Sequence, residues 1–313
     1  MKLGRLLFVA AAFASNGCSL SRIASGALAD RLAASSDLYT SDPDPAFVEA
    51  AVPFGLKTME AVLEDHPRHT GLLVALTSGF ASYGYAFVEQ EAHRIEPEDF
   101  EVARACVRAP TGCTSEAFVM GSEAWTPASR TPRSSREGEL QEALAEFEEK
   151  DVPLLYWTAA AWGLAIAASG IEPEDIADFP LVEALAARAL ELDEDWNRGA
   201  THDLLMVLQA SKPGGDLSSA QQHFERAIAF NGGQRAGTFV SYAETVAVKR
   251  QNGPLFVELL NKALAIDVDV LPEERLPNVI NQRRARRLLT RTEDLFIEDP
   301  LADRDGEAVS LNR

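Results

Sequence analysis

From about residue 20 to residue 297, apolar residues recur at spacings of three and four, and alternation at every second position is scarce. That periodicity predicts helices throughout and no sheet. Clusters of Ser, Thr, Pro and Gly punctuate the pattern. "SKPGGD" (211–216) and "NGG" (231–233) predict short turns between helices. "GSEAWTPASRTPRSSREGE" (121–139) is long for a loop in a compact domain, so an insertion is expected over about 110–138. Small residues also recur near helix ends: Ala189 in "RALELD", Ala227 in "RAIAFN" and Ala263 in "KALAID", at spacings of 38 and 36. "MEAVLEDHP" supplies a further copy around Ala61. Ala220, Phe224 and Ala227 follow the A-x3-F-x2-A pattern of a tetratricopeptide (TPR) second helix. A small residue at a helix crossing lets two backbones approach, and the aromatic fills the adjoining groove. The expected fold is all-α: a TPR-like array of helical hairpins, an α-solenoid, around one central apolar helix.

That central helix is "DVPLLYWTAAAWGLAIAASG", residues 151–170, with no charge between Val152 and Ile171. It is long enough to cross a bilayer. Its aliphatics would each favour insertion by only about 0.5 kcal/mol, and Pro153, Thr158, Gly163 and Ser169 offset part of that. Burial in protein accounts for it better, because each large side chain contributes about 1.5–3 kcal/mol when packed. Tyr156, Trp157 and Trp162 then either pack in the core or line an apolar cavity.

The formal net charge of -19 excludes a nucleic-acid partner, which needs a basic face, and argues against docking on anionic lipid. The N-terminus differs from the rest. Lys2 and Arg5 precede an apolar run, Leu6–Ala14, that is too short to span a membrane; "SNGC" ends it at Cys18. This reads as a signal peptide over 1–17. The Cys position is similar to a bacterial lipoprotein site, although Ser15 and Asn16 depart from the usual residues; plain cleavage nearby is the alternative. Residues 18–300 then form one helical domain and 301–313 a polar tail. Cys106 and Cys113 are the only other cysteines, and in an oxidising compartment they could close a small disulfide loop.

"RLPNVINQRRARRLLTR" crowds arginines onto one helix. Pairing with neighbouring carboxylates is the first reading, and an acidic ligand or partner surface the second. The five histidines, His66, His69, His93, His202 and His223, are scattered, and His66 and His69 are expected in a solvated turn. No metal site, cofactor site or catalytic constellation emerges, so no enzyme is expected.

The apolar helix, followed in order by "ARALELDEDWNRGATHDLL", "AQQHFERAIAF", "FVSYAETVAVKRQN", "FVELLNKALAID" and "RLPNVINQRRARRLL", resembles the TatT family. That family is the periplasmic T component of tripartite ATP-independent periplasmic (TRAP) transporters. The resemblance implies a lipoprotein in the periplasm of a Gram-negative bacterium, attached to membrane only through Cys18. It implies a homo-oligomer that pairs with a periplasmic solute-binding protein. It also implies an apolar-lined passage for a small organic acid or hydrophobic solute. Tyr156, Trp157, Trp162, Asn278, Gln282 and Arg283 fall in matched blocks and are the expected cleft residues. The alternative is a general TPR scaffold for envelope assembly with no small ligand.

Overall fold

The computed structural model describes residues 24–35, 37–108, 142–169, 177–298 and 300. Among them every regular element is helical. The helices are α1 (24–33), α2 (Asp37–Thr40), α3 (Pro45–Asp65), α4 (Thr70–Ile95) and α5 (Phe100–Arg108). Further along the chain come α6 (Val152–Ser169), α7 (Phe179–Leu192), α8 (Trp196–Ser211), α9 (Leu217–Asn231), α10 (Ala236–Tyr242), α11 (Gly253–Leu264), α12 (Arg275–Leu289) and α13 (Thr292–Leu295). Cys18, Cys113 and the 121–139 loop lie outside the described residues.

Local chemistry explains the boundaries. Asp44 caps α3 by accepting from the amides of Ala46 and Phe47, and Pro45 opens the helix where no N–H bond is required. Asp216 caps α9, and Gly232 ends it in the left-handed conformation at φ 64°. Asn252 accepts from the Leu255 amide to start α11. His69 is no solvated loop residue: its Nδ1 accepts from the Leu72 amide and caps α4, while Nε2 meets Asp30 of α1 at 3.1 Å. His66 contacts Ser25 at 2.7 Å, so both histidines fasten α1 to the α3–α4 turn.

Three apolar cores follow one another along the chain. The first joins α3, α4, α6 and the start of α12, through residues such as Leu56, Leu76, Ala161 and Ile280. Gly79 permits the α3–α4 approach, since a Cβ there would lie 2.6 Å from Leu56 Cδ2. The second joins α6, α7 and α8 around Trp162, Val182 and Leu205. The third runs from α8 to α12 around Met206, Val240, Phe256 and Leu288. Each core thus shares a helix with the next: α6, then α8, then α12, which returns to the first. The array closes on itself. α4, α6, α8, α10 and α12 form the inner cycle, with α4 against α6, α6 against α8, α8 against α10 and α10 against α12. Side chains join α12 back to α4. α3 packs on α4, α7 on α6, α9 on α8, and α11 on α10 and α12.

Two expectations change in detail. The small residues Ala189, Ala227 and Ala263 are fully buried at crossings, but Ala61 is exposed. Met59 and Leu63 take the core positions of α3 instead, so the repeat phase does not extend to that unit. Neither is α6 buried all round. Val152, Leu155, Ala159, Trp162 and Ile166 face the second core and Ala161 the first. Tyr156, Ala160 and Ala167 share a third, only partly covered face. α4 and α6 are both long and apolar enough to cross a bilayer, and they pack against each other.

Candidate functional site

Charged residues from the inner helices meet at the centre of the cycle, in two clusters. In the first, Arg235 stands at the start of α10 between Asp203 of α8 and Glu274, which precedes α12. Its Nη1 donates to Asp203 Oδ2 at 3.1 Å, and its Nε donates to Glu274 Oε1 at 3.1 Å. Nη2 donates to the Asn197 carbonyl at 3.0 Å. Thr238 Oγ1 donates to the other Asp203 oxygen at 2.7 Å, and Asn231 donates to that hydroxyl in turn. Burial alone would lower the Arg235 pKa, but the two carboxylates reverse this and raise it. Burial pushes Asp203 up, against the pull of Arg235. Such a pair stabilises little in net terms, yet breaking it is costly.

Tyr156 of α6 lies beside this cluster. Burial pushes its phenol pKa up to about 12, with Arg235 opposing, so it stays protonated at neutral pH. The ring keeps part of its surface accessible despite its depth. Trp157 meets it edge-on at 5.0 Å and Trp196 tilts against it at 4.7 Å. Tyr156 therefore joins this ionic cluster to two rings, Trp157 and Trp196, that pack against the first and second cores.

The second cluster surrounds Arg284 of α12. Its guanidinium pairs with Glu244 (2.8 Å) and Glu89 (3.5 Å) and lies over the Tyr85 ring, 5.4 Å from the centroid. Tyr85 donates to Asn281 Oδ1 at 2.8 Å. Glu89 and Tyr85 belong to a π-helical segment, Gly84–Glu89, within α4; Glu244 belongs to another, Ala243–Ala247, that follows α10. π-Segments re-aim side chains and concentrate at functional sites. Here two of them deliver carboxylates to one arginine. Further along, Arg287 donates to Gln90 (2.7 Å) and Arg291 pairs with Glu96 (3.4 Å). Burial raises the Glu89 pKa against the pull of Arg284. Burial, then Arg284, Arg287 and Arg291, lowers His93 to about 4.

The His93 shift fixes a pH dependence. Its folded pKa lies below the ordinary value near 6.5, so its contribution to stability is present above that value. It is lost as the pH falls towards 4. His93→Gln should therefore flatten the fall in melting temperature between pH 7 and pH 5; an unchanged slope would assign the acid sensitivity to other groups.

A family model described as TRAP transporter T-component matches residues 41–296, which includes every inner helix. The chain belongs to the TRAP transporter T-component family. Membership makes it an accessory component of TRAP transporters, in a family of transport across the envelope and not a known enzyme family. An uncharacterized protein of Treponema pallidum (strain Nichols) is 27% identical over 311 residues, covering 90% of this chain and 94% of its own.

Within this T component the expected cleft residues separate. Tyr156 lies beside the Arg235 cluster, and Trp157, whose ring meets it, packs against the first core. Trp162 is 1% exposed and packs in the second core, where its Nε1 donates to Asp178 at 3.3 Å. Asn278 brackets the start of α10, accepting from the Ala236 amide (2.8 Å) and donating to the Gln234 carbonyl (2.9 Å). Gln282 caps the end of α11 by donating to the carbonyls of Ala263 (3.1 Å) and Ile266 (2.8 Å). Arg283 is exposed on the outer side of α12, and its neighbour Arg284 is the residue at the centre. Cys106 is half-buried on α5; its expected partner, Cys113, lies outside the described residues.

Arg235, Asp203, Glu274, Glu89, Glu244 and Tyr85 were not legible as site residues. Arg283 was expected in place of Arg284, although a signal for Arg284 exists: Leu276, Ile280, Arg284 and Leu288 stand four apart, which places a charge inside the apolar stripe of α12. Among the described residues no three His, Cys, Asp or Glu side chains converge as a metal site.

Proposed function

We propose that this T component is exported, lipid-anchored at Cys18 and periplasmic, and that it docks a solute-binding protein and takes its solute at the centre of the helical cycle. The observation that carries the reading is the meeting of Tyr156, with Trp157 and Trp196 packed on its ring, and the Arg235 cluster, inside a family whose members serve TRAP transporters. Rings that keep accessible surface next to fixed charges suit a small solute with an apolar body and a polar end. Tyr156 and Trp157 of α6 support the apolar lining that the resemblance implies. The TPR-like superhelix belongs to this proposal too, supported by the buried crossings at Ala189, Ala227 and Ala263. So does a role without catalysis.

Surface chemistry supports association. On α3, Phe47 (64% exposed) and Phe54 (80%) are seven residues apart and face away from the core. An outward apolar stripe on a helix is a mark of association.

Affinity capture of the full-length protein from envelope extract should recover a periplasmic solute-binding protein. Native mass spectrometry should find a small molecule retained by the wild type and lost from Tyr156→Ala. Repeated capture of cell-wall assembly proteins alone, with no retained small molecule, would favour the scaffold reading. Cys18→Ser should move the protein from the membrane fraction to the soluble periplasm; unchanged attachment would place the tether elsewhere.

A further inference from the structure

α8 and α9 face each other through a pair of histidines that the centre does not use. His202 of α8 is 3% exposed, and its Nδ1 lies 2.9 Å from Nδ1 of His223 on α9. Its Nε2 lies 3.2 Å from Glu194 Oε1, in the turn before α8. A carboxylate accepts only, so Nε2 carries the hydrogen and Nδ1 of His202 is left as an acceptor. His223 must then donate through its own Nδ1. The remaining charged neighbours are engaged: Arg226 of α9 pairs with Glu194, and Asp203 of α8 pairs with Arg235. Phe230 of α9 stacks on the His202 ring at 5.7 Å and 14°.

This contact can hold one added proton but not two. With one, either ring can serve as donor to the other. With both rings protonated, each Nδ1 is a donor and two cations stand face to face. Burial lowers the pKa of both histidines, and for His223 the neighbouring His202 lowers it further.

The pair also borders a strained turn. Asn197, Arg198 and Gly199 are all left-handed, at φ 44°, 56° and 76°. Two of them are not glycine, and that conformation is costly for them. Phe230 fills the space beside Gly199, where a Cβ would lie 2.9 Å from its own. The turn is held on its other side by Arg198 pairing with Glu273 and by Arg235 donating to the Asn197 carbonyl. It carries Trp196 onto Tyr156.

We propose that His202 and His223 form a proton-operated latch between α8 and α9: closed, it holds Phe230 against the Asn197–Gly199 turn, and double protonation releases that turn and loosens Trp196 and Asn197 from the centre. The latch stands on geometry alone; its consequence for solute rests on the transport reading above.

The test is hydrogen exchange of the full-length protein by itself, at pH 7.5 and pH 5.5, corrected for intrinsic rates. Exchange across 196–203 and 217–231 should rise by about tenfold per pH unit for each proton taken up on opening. His223→Gln keeps a donor for His202 Nδ1 but cannot become charged, so it should lose that rise while matching the wild type at pH 7.5. His93→Gln should retain it. An equal rise in His223→Gln, or none in the wild type, overturns the latch. Ring-proton NMR of the wild type guards against a variant that fails to fold: both histidines should titrate below the ordinary value near 6.5, and independent titration at that value would overturn the proposal. No partner or solute enters these measurements, so failed capture of a solute-binding protein and failure of the latch are separate results.

Discussion

Trp162→Ala is expected to destabilise the protein by about 3–5 kcal/mol. The ring is among the largest fully buried side chains and sits where α6, α7 and α8 meet, with Ala159, Val182 and Leu205 in the same core. Truncation empties that space and removes the donor to the buried Asp178 carboxylate. Trp162→Phe keeps most of the volume and loses the donor, so its cost should be smaller. Denaturant unfolding followed by circular dichroism decides this, with an unchanged slope and a lower midpoint as the expected signature. A loss under about 1.5 kcal/mol for Trp162→Ala would mean that the neighbouring helices collapse into the vacated space.

Arg284→Met should cost a similar amount, about 3–5 kcal/mol, for a different reason. Its side chain is buried and pairs with carboxylates from two other helices. Methionine fills much of the volume but leaves Glu89 and Glu244 without the guanidinium they pair with, and only Arg287 nearby to offset their charge. Glu89 already has its pKa raised by burial, and removing Arg284 takes away the stronger of the two arginines that oppose the rise. The penalty should therefore shrink as the pH falls and that carboxyl becomes neutral. Arg284→Met combined with Glu89→Gln and Glu244→Gln should recover most of the stability. If the triple variant is no better than Arg284→Met alone, the arginine acts through packing and not through charge. With its stability recovered, the triple variant would lack the second cluster in a folded protein, so that the cluster's part in solute retention can be measured separately.

The helical parts were legible because their causes are local. The turns at 211–216 and 231–233, the Asp216 cap and the crossing alanines of the later hairpins all follow from neighbours a few residues away. The site was legible only in fragments. Tyr156 and Trp157 were picked out as rings in an apolar helix. Asn278 and Gln282 were picked out as polar residues among arginines, but their amides bind backbone at the ends of α10 and α11. A buried amide beside a helix end and a ligand-binding amide look alike in sequence. Arg283 and Arg284 are separated by a single residue step, about 100° of helix, which sends one outward and the other to the centre.

Read alone, the chain points to an acidic all-α protein of the T-component family, with an apolar helix at its core. It also supplies turns such as 211–216 and 231–233 and the buried alanines of the later hairpins, because hydrophobic periodicity and turn chemistry act within a few residues. Closure of the array into a cycle arises elsewhere. It depends on α12 meeting α4 through pairs such as Tyr85 and Asn281, 196 residues apart, and on two π-segments that turn Glu89 and Glu244 towards one arginine. Pairing at that distance leaves no period in the chain, since each partner is an ordinary polar residue until the other helix is brought beside it.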